Sequence, residues 1–157
     1  MTDNIKIEIV SGSDISDELI ESCYEVEKNC GGESYDKSDY YEIMKHPTNI
    51  HFIAYIDDII RGILTINPFS KKFGGCIYLI NISVDKNYHR KSIATKLINK
   101  SIEYILSNNS NEVIYALEVD KNNLEAISLY KKVGFQINEK YTDYEQYCMN
   151  LIFNIKI

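Results

Sequence analysis

Apolar and polar residues alternate from 5 to 10, with Ile5, Ile7 and Ile9 set against Lys6 and Glu8, a period of two that predicts a half-buried strand. Gly12 and Ser13 end it. Behind Ser16 or Asp17 as a cap, Leu19, Ile20, Cys23 and Val26 fall at helical spacing, so a first helix is expected to about Lys28, broken by Gly31 and Gly32. A second short helix is expected over 38–45, closed by Pro47. Two β-rich runs, 51–56 and 59–66, meet at Asp57 and Asp58 in what reads as a tight hairpin, and Pro68 ends the second run. Residues 76–84 are apolar over most of their length, as a central strand is, and follow a turn at Gly74 and Gly75. Over 92–106, Ile93, Ala94, Leu97, Ile98, Ile102 and Ile105 share one helical face. A strand over 113–119 follows, then a helix over 123–133, capped by Asn123 and stopped by Gly134. Two strands, near 135–139 and 146–155, complete the order β-α-α-β-β-β-α-β-α-β-β. That order describes one mixed α/β domain over residues 1–157, without repeats or linkers.

Composition narrows the class. A chain of 157 residues has room for one core, and shares of 45% apolar and 25% charged residues are those of an ordinary globular domain. The net charge of −6, from 23 acidic against 17 basic residues, repels polyanions and argues against nucleic acid as a partner. The longest apolar runs, 76–80 and 151–153, fall far short of the ~20 residues that span a bilayer, so no membrane association is expected. The polar start MTDNIKIE lacks the apolar core of a signal peptide, and a cytoplasmic location is expected. Cys23, Cys30, Cys76 and Cys148 show no CxxC pairing and none is near His46, His51 or His89 at zinc-ligand spacing. They are expected to be reduced thiols, three of them in the core, and no metal is expected.

The chemistry concentrates where the strand ending at Val84 runs through a loop into the helix beginning near Ser92. Amides at a helix N-terminus lack intrahelical partners and the helix dipole favours negative charge there, which makes this junction a candidate phosphate site. Arg90 and Lys91 add cations at its entrance, and the small residues Ser92 and Ala94 permit close approach of a pyrophosphate to the backbone.

Val84, Tyr88, His89, Ser92 and Ala94 resemble the acetyl-CoA signature V-x-P-x-Y-[QR]-x-x-G-x-[GA] of the GNAT superfamily of N-acetyltransferases. His89 stands where Gln or Arg is usual and Ser92 where Gly is usual. A second segment, from Leu117 to Phe135, is similar to the superfamily's L-x-V-x-x-x-N-x-x-A-I-x-L-Y-x-x-x-G-F at Leu117, Val119, Asn123, Ala126, Ile127, Leu129, Tyr130, Gly134 and Phe135. Gly62 also falls where the family often has glycine. The pattern is closest to the ribosomal-protein N-terminal alanine acetyltransferase type, whose tail of tyrosine, acidic and methionine residues 141–149 resembles.

The resemblance implies a GNAT-like acyl-CoA N-acyltransferase fold in which the strands ending at Val84 and Val119 splay into a V-shaped slot for acetyl-CoA. The backbone of Ile82 and Val84 would pair with the pantetheine arm, with Ser83 between them counted among the coenzyme-binding residues, and the Val84 N–H would polarise the thioester oxygen. The amides of His89, Arg90, Lys91, Ser92, Ile93, Ala94 and Thr95 would hold the pyrophosphate. Asn123 would orient the coenzyme or cap the last helix. At Ser92, a requirement for positive φ would impose strain, whereas a requirement only for small size would let the hydroxyl bond phosphate; the second is expected. Tyr130 falls on the family's recurrent tyrosine, placed to protonate the departing thiolate, or else is a core aromatic. Glu118 is the candidate base, acting through water, or else an outward carboxylate.

The implied reaction is transfer of an acetyl group from acetyl-CoA to a primary amine by direct attack in a ternary complex. A peptide α-amino group, with pKa ~8, is about a tenth neutral at pH 7, whereas a lysine-like amine near ~10.4 is neutral in about one molecule in 2,500. A peptide N-terminus is therefore the favoured acceptor. The alternatives are a small amine (polyamine, aminoglycoside or amino acid) in an acidic pocket of Glu33, Asp36, Asp39, Asp143 and Glu145, and a non-catalytic acyl-CoA-binding module. The apolar C-terminal strand, 149–157, can extend a sheet into a second copy, which leaves a homodimer open.

Overall fold

The protein, represented by a computed structural model, is described over residues 4–89 and 92–153. Seven strands form one sheet in the order β1-β2-β3-β4-β5-β7-β6. They are β1 (Ile5–Ser11), β2 (Ile50–Ile56), β3 (Ile59–Ser70), β4 (Cys76–Val84), β5 (Val113–Asp120), β6 (Gln136–Ile137) and β7 (Gln146–Phe153). Helices α1 (Asp17–Lys28) and α2 (Lys37–Lys45) cover one face; α3 (Ile93–Asn108) and α4 (Leu124–Val133) cover the other. The element order is the one expected from the hydrophobic pattern.

The strand period of two supplies both cores. Along β2, Phe52, Ala54 and Ile56 pack with Ile93, Leu97 and Ile98 of α3, while Ile53 turns the other way to join Ile20, Cys23 and Val26 of α1. Side-chain caps set the helix starts: Ser16 Oγ accepts from the Leu19 N–H at 3.2 Å, and Asp36 Oδ1 from the Asp39 N–H at 2.9 Å. The β2–β3 hairpin turns on Asp57 and Asp58, both left-handed at φ +51° and +62°, which matches the twist of the flanking strands.

Two boundaries differ from expectation. Pro68 does not end β3, which runs to Ser70; the proline falls in a register irregularity between Asn67 and Ser70, where it owes no ladder hydrogen bond. The strand expected over 135–139 is reduced to Gln136–Ile137, because Phe135 is drawn into the core against Tyr115 and Tyr130 and Asn138 Oδ1 caps a tight turn through the Lys140 N–H. The final strand is described to Phe153, and its expected continuation to 155 lies outside the described residues.

Two features shape the middle of the sheet. Gly62 on β3 lets α3 lie close, since a Cβ there would meet Ile93 Cγ2 at 2.8 Å and Leu97 Cδ1 at 3.1 Å. A bulge in β4 sets Asn81 opposite Thr65 but Leu79 opposite Ile66, so the core-facing parity changes from Ile77 and Leu79 to Ile82 and Val84. Cys23, Cys76 and Cys148 are buried, Cys30 is half-buried, and none is bonded to another. Among the described residues no helix is long and apolar enough to cross a membrane, and no group of three His, Cys, Asp or Glu side chains is placed to hold a metal ion.

Candidate active site

Strands β4 and β5 run parallel but pair only at Ile77 with Tyr115 and Tyr78 with Ala116. Beyond those pairs they part, leaving a slot bordered by 79–84 and 117–120. The Asp85 N–H donates to the Arg61 carbonyl at 2.9 Å, and the antiparallel alternation then turns the backbone groups of Asp85 and Ser83 toward β3 and those of Val84 and Ile82 toward the slot. Ile82 and Val84 thus both turn their backbone N–H groups toward the slot. The Val84 carbonyl accepts from His89 Nε2 at 3.0 Å, while its N–H faces the slot. Ser83 does not join them: its backbone faces β3 and its Oγ donates to Glu27 at 2.6 Å.

The start of α3 lies at one end of this slot. Its first intrahelical bond is from the Lys96 N–H to the Ser92 carbonyl, at 3.0 Å, so the amides of Ile93, Ala94 and Thr95 have no helical partner. Ser92 is left-handed, at φ +64° and ψ +16°, and its side chain makes no capping hydrogen bond. The position therefore does require positive φ. Replacing Ser92 with Gly should relieve that strain and stabilise the free protein by up to ~1 kcal/mol, read from denaturant or thermal unfolding. A destabilised variant would show that the hydroxyl supports the loop; weaker acetyl-CoA binding by the variant would show that it meets phosphate. Arg90 and Lys91 lie outside the described residues. Asn123 caps α4, its Oδ1 accepting from the Ala126 N–H at 3.2 Å.

Glu118 and Tyr130 lie on opposite faces of the sheet. On β5, Tyr115, Leu117 and Val119 face the α3–α4 core, and Tyr130 of α4 packs there against Phe135 with ring centroids 5.9 Å apart. Burial alone pushes its phenol up to about 12, so it stays protonated at any working pH. Glu118 points to the α1–α2 face, where its side chain is 23% exposed. Its Oε1 accepts from Lys72 Nζ at 2.7 Å and from the Tyr78 hydroxyl at 2.9 Å. Burial, and then the Glu118 charge, push the Tyr78 phenol well above its ordinary range, which keeps it a donor.

Around Glu118 the fold assembles groups from distant segments. Phe73 follows β3 and packs on Tyr78 at 6.2 Å and on Tyr141 at 5.2 Å between ring centroids. Tyr35, from the α1–α2 connection, feels the charges of both Glu27 and Lys72. Glu27 is 1% exposed and accepts from Ser83 Oγ and from Asn81 Nδ2, the latter at 3.0 Å, so α1 is tied to β4 beside the slot. Its signal in the sequence is a carboxylate on the inward stripe of α1, seven residues after Ile20 and four after Cys23. No sequence signal marks Lys72. The acidic residues Glu33, Asp36, Asp39, Asp143 and Glu145 are all exposed. Asp36 is committed to the α2 cap, and Asp143 Oδ1 accepts from the Glu145 and Gln146 amides at 2.8 and 2.7 Å.

Beside this splayed parallel pair, with a buried tyrosine on one face of the sheet and a carboxylate on the other, stands a family comparison: residues 18–135 match the model of the acetyltransferase (GNAT) family. The chain belongs to the GNAT acetyltransferase family. Among curated relatives it is similar to N-alpha-acetyltransferase 30 of Dictyostelium discoideum, 30% identical over 103 residues, which is 66% of this chain and 55% of that protein. The Xenopus laevis protein of the same name is 30% identical over 107 residues, 64% of this chain and 38% of that one. The chain thus spans about half or less of the length of these relatives. Among solved structures it superposes on the ribosomal-protein-S18-alanine N-acetyltransferase of Escherichia coli with a TM-score of 0.74 at 16% identity, over 97% of this chain and 96% of that one. This GNAT chain therefore has the fold that its signature segments implied.

Proposed function

We propose that the protein transfers an acetyl group from acetyl-CoA to a primary amine, with a peptide N-terminal α-amino group as acceptor, by direct attack in a ternary complex. The observation that carries this reading is the slot between β4 and β5, with Tyr130 on one face of the sheet and Glu118 on the other. The residues present fit acetyl-CoA. Ile82 turns its backbone groups, and Val84 its N–H, toward the path of a pantetheine arm, and the amides of Ile93, Ala94 and Thr95 offer donors to a pyrophosphate. The coenzyme supplies an activated acyl group with a thiolate leaving group.

The chain's own residues do the rest. The Val84 N–H, held in the rigid end of β4, stabilises negative charge on the acyl oxygen. Tyr130 provides the proton that the departing sulfur needs. Glu118, oriented by Tyr78, takes the proton that the amine loses. The aromatic side chains of Tyr35, Phe73, Tyr78 and Tyr141 border the acceptor side and form a surface suited to a peptide rather than to a polycation, because the nearby acidic residues are spread over exposed caps and turns. The N-alpha-acetyltransferase names of the curated relatives support the peptide acceptor. The unbonded cysteines accord with a cytoplasmic setting. The outer edge of β7 pairs with β6 only at Asn150 and Met149, which leaves an edge for a second copy.

Thiol release from acetyl-CoA, measured against a panel of peptides, polyamines and aminoglycosides, tests the reading. Peptides with free N-termini are expected to react fastest, with the acetyl group on the α-nitrogen. Faster release with polyamines or aminoglycosides would move the acceptor to the small-amine class. Coenzyme binding without release on any acceptor would make the protein a binding module.

A further inference from the structure

An amine already sits on the candidate base. Lys72 lies in the short turn between β3 and β4, and its Nζ donates to Glu118 Oε1 at 2.7 Å. The same ammonium stands 4.6 Å from the centroid of the Tyr78 ring, whose hydroxyl shares that carboxylate oxygen. This is the arrangement that the transfer reaction requires of an acceptor: nitrogen hydrogen-bonded to the base, at the border of the slot, on the face away from the leaving thiolate. The Lys72 side chain is 51% exposed, so its stem is free to shift as the acyl group arrives. The neighbouring Lys71 makes no such contact with Glu118.

We infer that Lys72 is an intramolecular acceptor and that the protein acetylates itself at this position. The inference rests on the reading of the slot as the site of acetyl transfer. In the step, the Lys72 nitrogen forms an amide bond to the acetyl carbon while the carbon–sulfur bond of acetyl-CoA breaks. The ammonium gives up two protons in turn to Glu118, one before attack and one from the nitrogen as the tetrahedral intermediate collapses, and each passes on to solvent. The departing thiolate takes a proton from Tyr130, which is reprotonated from water. Because nucleophile and base belong to one folded chain, the reaction benefits from the high effective concentration of a held neighbour, which offsets the small neutral fraction of a lysine amine at pH 7 that disfavours free lysine-like acceptors. Its product removes the cation from Glu118 Oε1 and leaves that oxygen to Tyr78 and the incoming acceptor.

The test incubates the full chain with acetyl-CoA and no other acceptor, and follows the intact mass and the modified peptides over time. The expected result is one acetyl group per chain, on Lys72 in preference to Lys71, at a rate per molecule that does not depend on protein concentration. Lys72→Arg, which keeps a cation on Glu118, should abolish the single modification. Glu118→Gln should slow it by at least about tenfold at neutral pH without altering background acetylation of Lys71. Equal labelling of Lys71 and Lys72, or a rate that rises with protein concentration, would overturn the proposal. Acetylated peptide substrates with an unmodified Lys72 would overturn it while leaving the proposed function standing. Absence of both would bring down the two together.

Discussion

Glu118→Gln is expected to lower kcat/KM for a peptide acceptor by ~10²–10⁴-fold at neutral pH, the usual contribution of a positioned base. The amide keeps the shape and still accepts from Tyr78 and Lys72, whose hydrogen bonds to Oε1 are 2.9 and 2.7 Å, but it cannot take a proton. The deficit should then narrow as pH rises. An α-amino group of pKa ~8 goes from about one-tenth neutral at pH 7 to about nine-tenths at pH 9, so solvent progressively replaces the base and the gap closes by roughly tenfold. Rate against pH for both proteins measures this. An unchanged deficit at pH 9 would mean that the carboxylate orients the acceptor without deprotonating it.

Tyr130→Phe is expected to lower kcat by ~10–1000-fold at every pH, with acetyl-CoA affinity nearly intact. The ring stays packed on Phe135, and only the proton donor is lost. The flat pH dependence follows from the buried phenol, which at about 12 is protonated throughout the working range. A donor so weak would be poor in water, but the burial that weakens it also raises the basicity of the thiolate it must protonate, since both anions lose solvation. Single-turnover rates, with acetyl-CoA affinity measured separately, check this. Full kcat in the variant, under conditions where chemistry limits the rate, would leave Tyr130 as a core aromatic only.

Much of the frame was legible in the chain because its elements follow from local periodicity. The inward stripe of α3, the central run of β4 and the Asn123 and Gly134 boundaries of α4 each depend on residues within one turn or one strand. The signature segments pointed to the end of β4, and the parity set by the β4 bulge explains why Ile82 and Val84 face the slot while Ser83 does not. Pro68 misled because a proline stops a central ladder but not a strand at a register irregularity. The surroundings of Glu118 were hidden for a different reason. Tyr35, Lys72, Tyr78 and Tyr141 come from four separate segments, and with 13 tyrosines in the chain no single one carried a signal until the sheet brought them together.

The most direct measurement of the central claim is a crystal structure with acetyl-CoA bound. The account places the thioester between β4 beyond Tyr78 and β5 beyond Ala116, within reach of the Val84 N–H, with the pyrophosphate on the amides of Ile93, Ala94 and Thr95. The protein offers a rival location, a cavity of about 520 Å³ between α1, the β2–β3 hairpin and Asp85, lined by Leu19, Ser22, Tyr55 and Arg61 among others. Coenzyme found in that cavity, or a pyrophosphate away from the start of α3, would contradict the account.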